Sequence, residues 1–222
     1  MYNSNMTIDI SSLTSEKIKA GQFKKSLSEI YALKKVVENS AWHEKQDVFE
    51  HTMAVLEQLE SLLKIKIFKP SKRKILQRQL NKRVGNYTRK DLLIVSTLLH
   101  DIAKPVTAIK DKTGIVRCPG HEFFGSDMVK SFSIRLGLDK KDEDFVKRIV
   151  YSHGLIVEVL NQIMDKSDKE YYLNSFKNVV GDIYYELLLL FYSDLLGSDL
   201  KRLNPKEYKI RQKLTFDFLQ NN

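Results

Sequence analysis

Cysteine is almost absent from this chain: Cys118 is the one example among 222 residues. An intrachain disulfide is thereby excluded, and so is a zinc motif built on cysteine pairs. Proline and glycine are scarce as well, with four and nine copies. Sandwich folds need frequent turns, so this shortage favours long uninterrupted helices. Long apolar runs are missing too. The longest, Leu187 to Tyr192, falls far short of the roughly 20 residues that span a bilayer. The opening residues, MYNSNMTIDISS, have neither the basic start nor the apolar middle of a secretory signal. A cytoplasmic location without a membrane partner is the resulting expectation. Oligomeric state is not legible.

What is present is ordinary for a globular chain: 42% hydrophobic and 29% charged residues. The 37 basic and 28 acidic side chains leave a net charge of +9. Such an excess attracts phosphate-bearing ligands, nucleotides or RNA among them, although a lysine-rich surface explains it equally well. The expected organisation is all-α. Residues 1–46 are expected to form an N-terminal extension and helix, 47–200 the main helical bundle, and 201–222 a C-terminal helix.

The chain is organised around Leu92 to Pro105, LLIVSTLLHDIAKP. Its apolar run reads as a buried helix that ends in His100 and Asp101. A buried carboxylate costs several kcal/mol unless it is paired, and a cation is the simplest partner beside an imidazole. Thr88 and Asp91 form a capping box opening this helix, and Pro105 is expected to close it. Val106 to Cys118 then reads as a small β-hairpin turning at Asp111 to Gly114, placed where a flap would reach substrate.

Elsewhere the periodicity predicts a helix from Ser15 to about Asn39, with nothing chemical in it, after a loose polar stretch 1–14. Gly21 is a candidate break. His43, flanked by Glu44 and Lys45, reads as a surface histidine. A helix capped by Asp47 and running to about Phe68 turns His51 inward with Val48, Val55 and Leu59. Lys69 to Arg83 is strongly basic, with Ile75, Leu76 and Leu80 expected inside. A solvated helix face and an RNA- or phosphate-facing patch both fit it. Further helices are expected up to Leu136, over Lys141 to Ser152, Leu155 to Met164, Lys169 to Asn178 and Asp182 to Leu196, and after Asn204-Pro205. Asp194 follows the apolar run of that penultimate long helix. It is either a solvated helix-end acid or a second buried carboxylate.

His51, His100, Asp101 and Asp194 thus form an ordered set of two imidazoles and two carboxylates. That donor set suits a divalent transition ion (Mn, Fe, Co, Ni or Zn) rather than calcium. The order H…HD…D resembles the HD-domain superfamily of metal-dependent phosphohydrolases, over about residues 48–196. The block LLHDIAKP, hairpin and GHEFFGSDM is similar to the HD domain attached to bacterial tRNA nucleotidyltransferases. The nucleotide-adding domain of those enzymes has no counterpart here, alanine replaces the glycine of HDIGKP, and Ser126 replaces a small residue.

The resemblance implies a helical bundle that hydrolyses a phosphomonoester or phosphodiester with metal-activated water. His51, His100, Asp101 and Asp194 would be ligands, and Asp101 would also accept a proton. It implies that His121 and His153 hold a second ion, with Asp101 bridging two ions about 3.5–4 Å apart, or bind substrate phosphate. His153 could equally be structural. Lys104 would lie beside the phosphate, Arg117 is a weaker candidate of the same kind, and Glu122 would orient His121 or water. The competing expectation is a non-catalytic RNA- or nucleotide-binding module, its metal purely structural, with Lys72, Arg73 and Lys74 on the binding face.

Overall fold

The computed structural model describes residues 7–39, 42–44, 46–64, 66–166 and 168–221. The expectations for residues 1–6, 40, 41, 45 and 65 lie outside them. The chain is 70% helical, and among the described residues the one sheet is a two-stranded hairpin, so the all-α expectation holds. No described helix is long and apolar enough to cross a membrane.

Residues 15–39 depart from the expected single helix. A 3-10 turn at Ile10–Ser12 buries Ile10, so this stretch is not loose. Next come α1 (Ser15–Lys19), a break in which Gly21 takes φ 82°, α2 (Ser28–Ala32) and a 3-10 turn at Leu33–Lys35. Beyond it the backbone extends, and Val37 pairs antiparallel with Asp47. That bridge anchors the segment carrying Glu38 beside the start of α3 (Val48–Leu62), whose first turn is capped by the Asp47 carboxylate.

Helix α4 (Pro70–Leu80) buries Leu76 and Leu80, but Ile75 is 48% exposed, contrary to expectation. Lys72 is also turned inward, its Nζ donating to the Tyr185 hydroxyl at 3.0 Å, and so leaves the expected RNA-facing row. Thr88 and Asp91 do form a reciprocal capping box on α5 (Arg89–Leu99). Helix α5 ends at Leu99, six residues before Pro105. Pro105 instead lies in the first turn of a short helix, α6 (Lys104–Thr107), where its missing N–H costs nothing. The hairpin follows as β1 (Ile109–Lys110) and β2 (Val116–Arg117).

The rest comprises α7 (His121–Leu136), α8 (Lys140–Ser152), α9 (Leu155–Lys166), α10 (Lys169–Val180), α11 (Tyr184–Gly197), α12 (Leu200–Leu203) and α13 (Pro205–Asn221). One continuous apolar core runs from Ile10 through Leu56, Leu98, Val146 and Leu190 to Leu219. Helix α11 is apolar nearly all round, as a central helix must be, and packs on α3. The approach is close: a Cβ on Gly197 would fall 2.9 Å from the Val55 backbone nitrogen. Bare glycine therefore sets the distance between the helix carrying Asp194 and the helix carrying His51.

Candidate metal centre

Four elements bring imidazoles to one carboxylate. His51 lies one turn into α3, His100 caps α5, His121 opens α7 and His153 caps α8. Asp101 sits among them, 2% exposed. Its Oδ2 is 3.3 Å from His100 Nε2 and 3.8 Å from His51 Nε2. Its Oδ1 is 3.3 Å from His121 Nε2 and 3.9 Å from His153 Nε2. Each oxygen therefore faces its own pair of histidines. Two ligand groups result, His51–His100–Asp101 and Asp101–His121–His153, with Asp101 common to both. Asp194 joins from α11, its Oδ1 2.9 Å from His51 Nε2.

The local fold fixes which ring nitrogen faces inward. A carbonyl oxygen only accepts, so a ring nitrogen bound to one must be the donor. His100 Nδ1 donates to Thr97 O at 2.8 Å, His153 Nδ1 to Val150 O at 2.6 Å, and His121 Nδ1 to Cys118 O at 2.8 Å. Thr97 and Val150 offer carbonyls left over at helix C-termini. All three rings are thereby locked with Nε2 toward Asp101, the tautomer a metal ligand needs.

The inward-facing atoms are short of partners. His100 Nε2 and Asp101 Oδ2 are buried without a hydrogen bond, although Oδ2 has an ion pair with Lys104. His121 Nε2 and His153 Nε2 lie 3.3 Å apart. Two imidazole lone pairs at that distance need a proton or a cation between them. Buried polar atoms left this way are costly, and a divalent cation would satisfy all of them, so the residues present fit a metal.

Charge tuning follows the same layout. Burial opposes the charge of His100, but the Asp101 and Asp194 carboxylates outweigh it and raise its pKa. His121 is likewise raised, as Asp101 overcomes burial. Burial and the neighbouring His100 and His121 charges push His153 down to about 3. Asp101 and Asp194 are held below the carboxylate range; burial works against this, and the imidazoles around them prevail.

Lys104 and Glu38 complete the floor. Lys104 Nζ donates to Glu38 Oε2 at 2.7 Å and lies 2.9 Å from Asp101 Oδ2. Burial would lower its pKa, yet the two carboxylates raise it above the ordinary lysine value. Glu38 escaped the reading of the sequence, which saw no chemistry before residue 40. The one available signal was Lys104 itself, since a buried lysine between apolar neighbours calls for an acid.

His43 is a second correction. It is 7% exposed, not a surface residue, and its ring packs edge-on against His51 with centroids 4.4 Å apart. Burial and the nearby His51 charge lower its pKa to about 4. The flanking Glu44, which suggested solvent, turns its carboxylate outward to Arg202, while its backbone N–H donates to Asp199 Oδ2.

Arg117 does not reach this group. Its side chain is 64% exposed and pairs with Asp111 at 3.5 Å. The hairpin that carries it is pinned by Asn39, which donates to Gly114 O and accepts from Val116 N. Lys104, Glu122, His153 and Asp194 do line the cavity of about 270 Å³ above Asp101, together with Trp42 and His43.

The stretch 48–172, more than half of the chain, matches the protein-family model described as HD domain. The match begins with α3 and includes His51, His100, Asp101, His121 and His153, while Glu38 and Asp194 lie outside it. No curated protein matches the chain.

Proposed function

The chain belongs to the HD domain family, and from that premise we propose that it is a phosphohydrolase acting on a phosphomonoester or phosphodiester of a nucleotide or related small molecule. HD domains bind divalent metals and are generally metal-dependent hydrolases. The observation that carries the reading is the Asp101 carboxylate, buried with each oxygen facing two imidazole Nε2 atoms.

In this reading His51, His100 and Asp101, with Asp194 beside His51, would hold one ion of the Mn, Fe, Co, Ni or Zn type, and Asp101, His121 and His153 would hold a second. A bound divalent ion supplies Lewis acidity toward a phosphoryl oxygen and brings the pKa of water toward neutrality. Lys104 stays charged, steadies the Asp101 and Glu38 carboxylates, and faces the cavity where a phosphoryl oxygen gains charge. Asp101 would accept the proton released from water. Glu122, with Oε2 3.3 Å from His121 Nδ1, helps orient that ring. The likeness of HDIAKP and GHEFFGSDM to the HD domain of tRNA nucleotidyltransferases supports 2′,3′-cyclic nucleotides, nucleoside monophosphates or dinucleoside polyphosphates as substrates.

The test is hydrolysis of these esters with Mn²⁺, Ni²⁺ or Co²⁺ by the unmodified chain and by Asp101→Ala. The reading expects metal-dependent turnover that the variant loses while it still melts cooperatively. Turnover unaffected by Asp101→Ala, or none with any ester and metal, would overturn it.

A second reading, an RNA- or nucleotide-binding module with a structural metal, has support in Lys74, Arg78, Lys82 and Arg83, which are exposed on and just after α4. It expects RNA affinity that weakens steeply with salt and with loss of Lys74 and Arg78.

A further inference from the structure

Beside the metal-ligand cavity lies a second cleft, of about 340 Å³, bounded by α7, α8 and α9. The two share Glu122, Gly154 and Glu158 as walls. Gly154 stands at the junction, where a Cβ would come within 3.0 Å of Glu122 Oε1. Its bare backbone keeps that wall thin.

Beyond the shared walls, the second cleft is lined by aromatic and apolar side chains in place of Lys104 and the histidines. Phe123 and Tyr151 line it while 53% and 56% exposed, and Leu155 lies beside them. Aromatic rings left open to water at the mouth of a reaction cavity present π-faces for a planar ring. The charged groups on its walls are Glu122 and Glu158, and no lysine or arginine is among them. Among the described residues the Glu158 carboxylate has no hydrogen bond or ion pair. An acidic cleft repels phosphate and accepts hydrogen bonds from amino groups. The cation Lys104 lies on the other side, 2.9 Å from Asp101 and at the residues that would hold a divalent ion. A ligand bridging the two would therefore put its anionic end at the histidines and its donor-bearing flat end at Phe123 and Tyr151.

Building on the hydrolase reading, we propose that this cleft is a nucleobase subsite, which stacks an amine-bearing base on Phe123 and Tyr151 and reads its amino group with Glu158. Adenine, cytosine and guanine carry the exocyclic donor that a carboxylate accepts, and uracil does not. The substrate class narrows accordingly to nucleotides with an amine-bearing base.

Calorimetric titration of the full chain, supplied with Mn²⁺, against AMP, CMP, GMP, UMP and ribose 5-phosphate tests this without requiring turnover. AMP, CMP and GMP should bind about ten-fold tighter than ribose 5-phosphate, the scale of one base stacked on an aromatic side chain. Phe123→Ala and Tyr151→Ala, both at the surface, should erode that advantage and leave ribose 5-phosphate unchanged. Glu158→Gln should bring UMP level with the other three. Equal affinity for AMP and ribose 5-phosphate, no binding of any of the five, or unaltered nucleotide affinity in both aromatic variants would overturn the subsite. Parallel hydrolysis assays separate the two readings. Base-dependent binding without cleavage of these monoesters supports the subsite and contradicts monoester hydrolysis. Cleavage of all five esters with one common KM supports the hydrolase and contradicts the subsite.

Discussion

Two charge clusters, each with a buried centre, lie against the same pair of helices, α5 and α11, and they are built on opposite plans. At the N-terminal end Arg89 donates through Nε to Glu186 at 2.8 Å and through Nη1 to Asp182 at 3.0 Å, and Arg148 takes the other Asp182 oxygen at 2.7 Å. Each charge there meets its opposite in hydrogen-bond geometry, and the cluster closes on itself. At the other end His100, Asp101 and Asp194 gather two more inward-facing imidazoles and His51, yet leave His100 Nε2 and Asp101 Oδ2 without hydrogen bonds. Burial penalises Arg89 and Glu186 as it does the histidine cluster, while Asp182 and Arg148 stand half exposed at the rim. One cluster meets that penalty with arginine, and the other holds a geometry that is complete only with a cation. Folding alone accounts for the first arrangement; the second makes sense as a binding site.

Disabling each cluster in turn should give opposite phenotypes. The largest effect is expected from Asp101→Ala, which removes the carboxylate common to both histidine pairs. Turnover should fall by roughly a thousand-fold or more, read as kcat/KM, because this residue belongs to both ligand groups. Arg89→Ala should instead cost about 3–5 kcal/mol in denaturant unfolding, by stranding Glu186 in the core, and should leave turnover per folded molecule unchanged. If Arg89→Ala abolished activity in folded protein, the contrast between the clusters would fail.

A smaller, pH-dependent effect sharpens the comparison. His100 and His121 have raised pKa values, so both hold protons in the metal-free chain up to a pH above their ordinary 6.5. A metal ligand must be deprotonated, so binding expels those protons. Affinity for Mn²⁺ should therefore drop as pH falls through and below that range, by about ten-fold per pH unit for each proton displaced. His153, already neutral with a pKa of about 3, should add nothing. Metal affinity independent of pH between 5 and 8 would count against imidazole ligation. The smallest expected change is from Arg117→Ala. Exposed and paired only across its own hairpin, Arg117 should alter stability by less than about 0.5 kcal/mol and turnover not measurably.

The part of the site carried by regular helices could be read from the sequence. Helical spacing turns His51 inward, and the apolar run before His100 and Asp101 marks their burial, so two helices showed in advance which polar side chains they bury. The hairpin and the Thr88–Asp91 capping box were legible for the same reason, since both rest on local chemistry. Glu38 and His43 were not. They lie on irregular backbone, placed by the Val37–Asp47 bridge, and their partners are far along the chain. No periodicity marks such residues, and the charged neighbours of His43 pointed the wrong way. Pro105 misled through position: it was read as a helix stop, when the first turn of a new helix accepts proline equally well.

The central claim is that Asp101 and the histidines around it form an incomplete cage for a divalent ion. Elemental analysis of untagged chain, purified without chelators and incubated with Mn²⁺ or Ni²⁺ before desalting, addresses it most directly. At least one equivalent per chain is expected, falling sharply in both His100→Ala and Asp101→Ala. Less than about half an equivalent in the unmodified chain, or full loading retained by both variants, would contradict the claim.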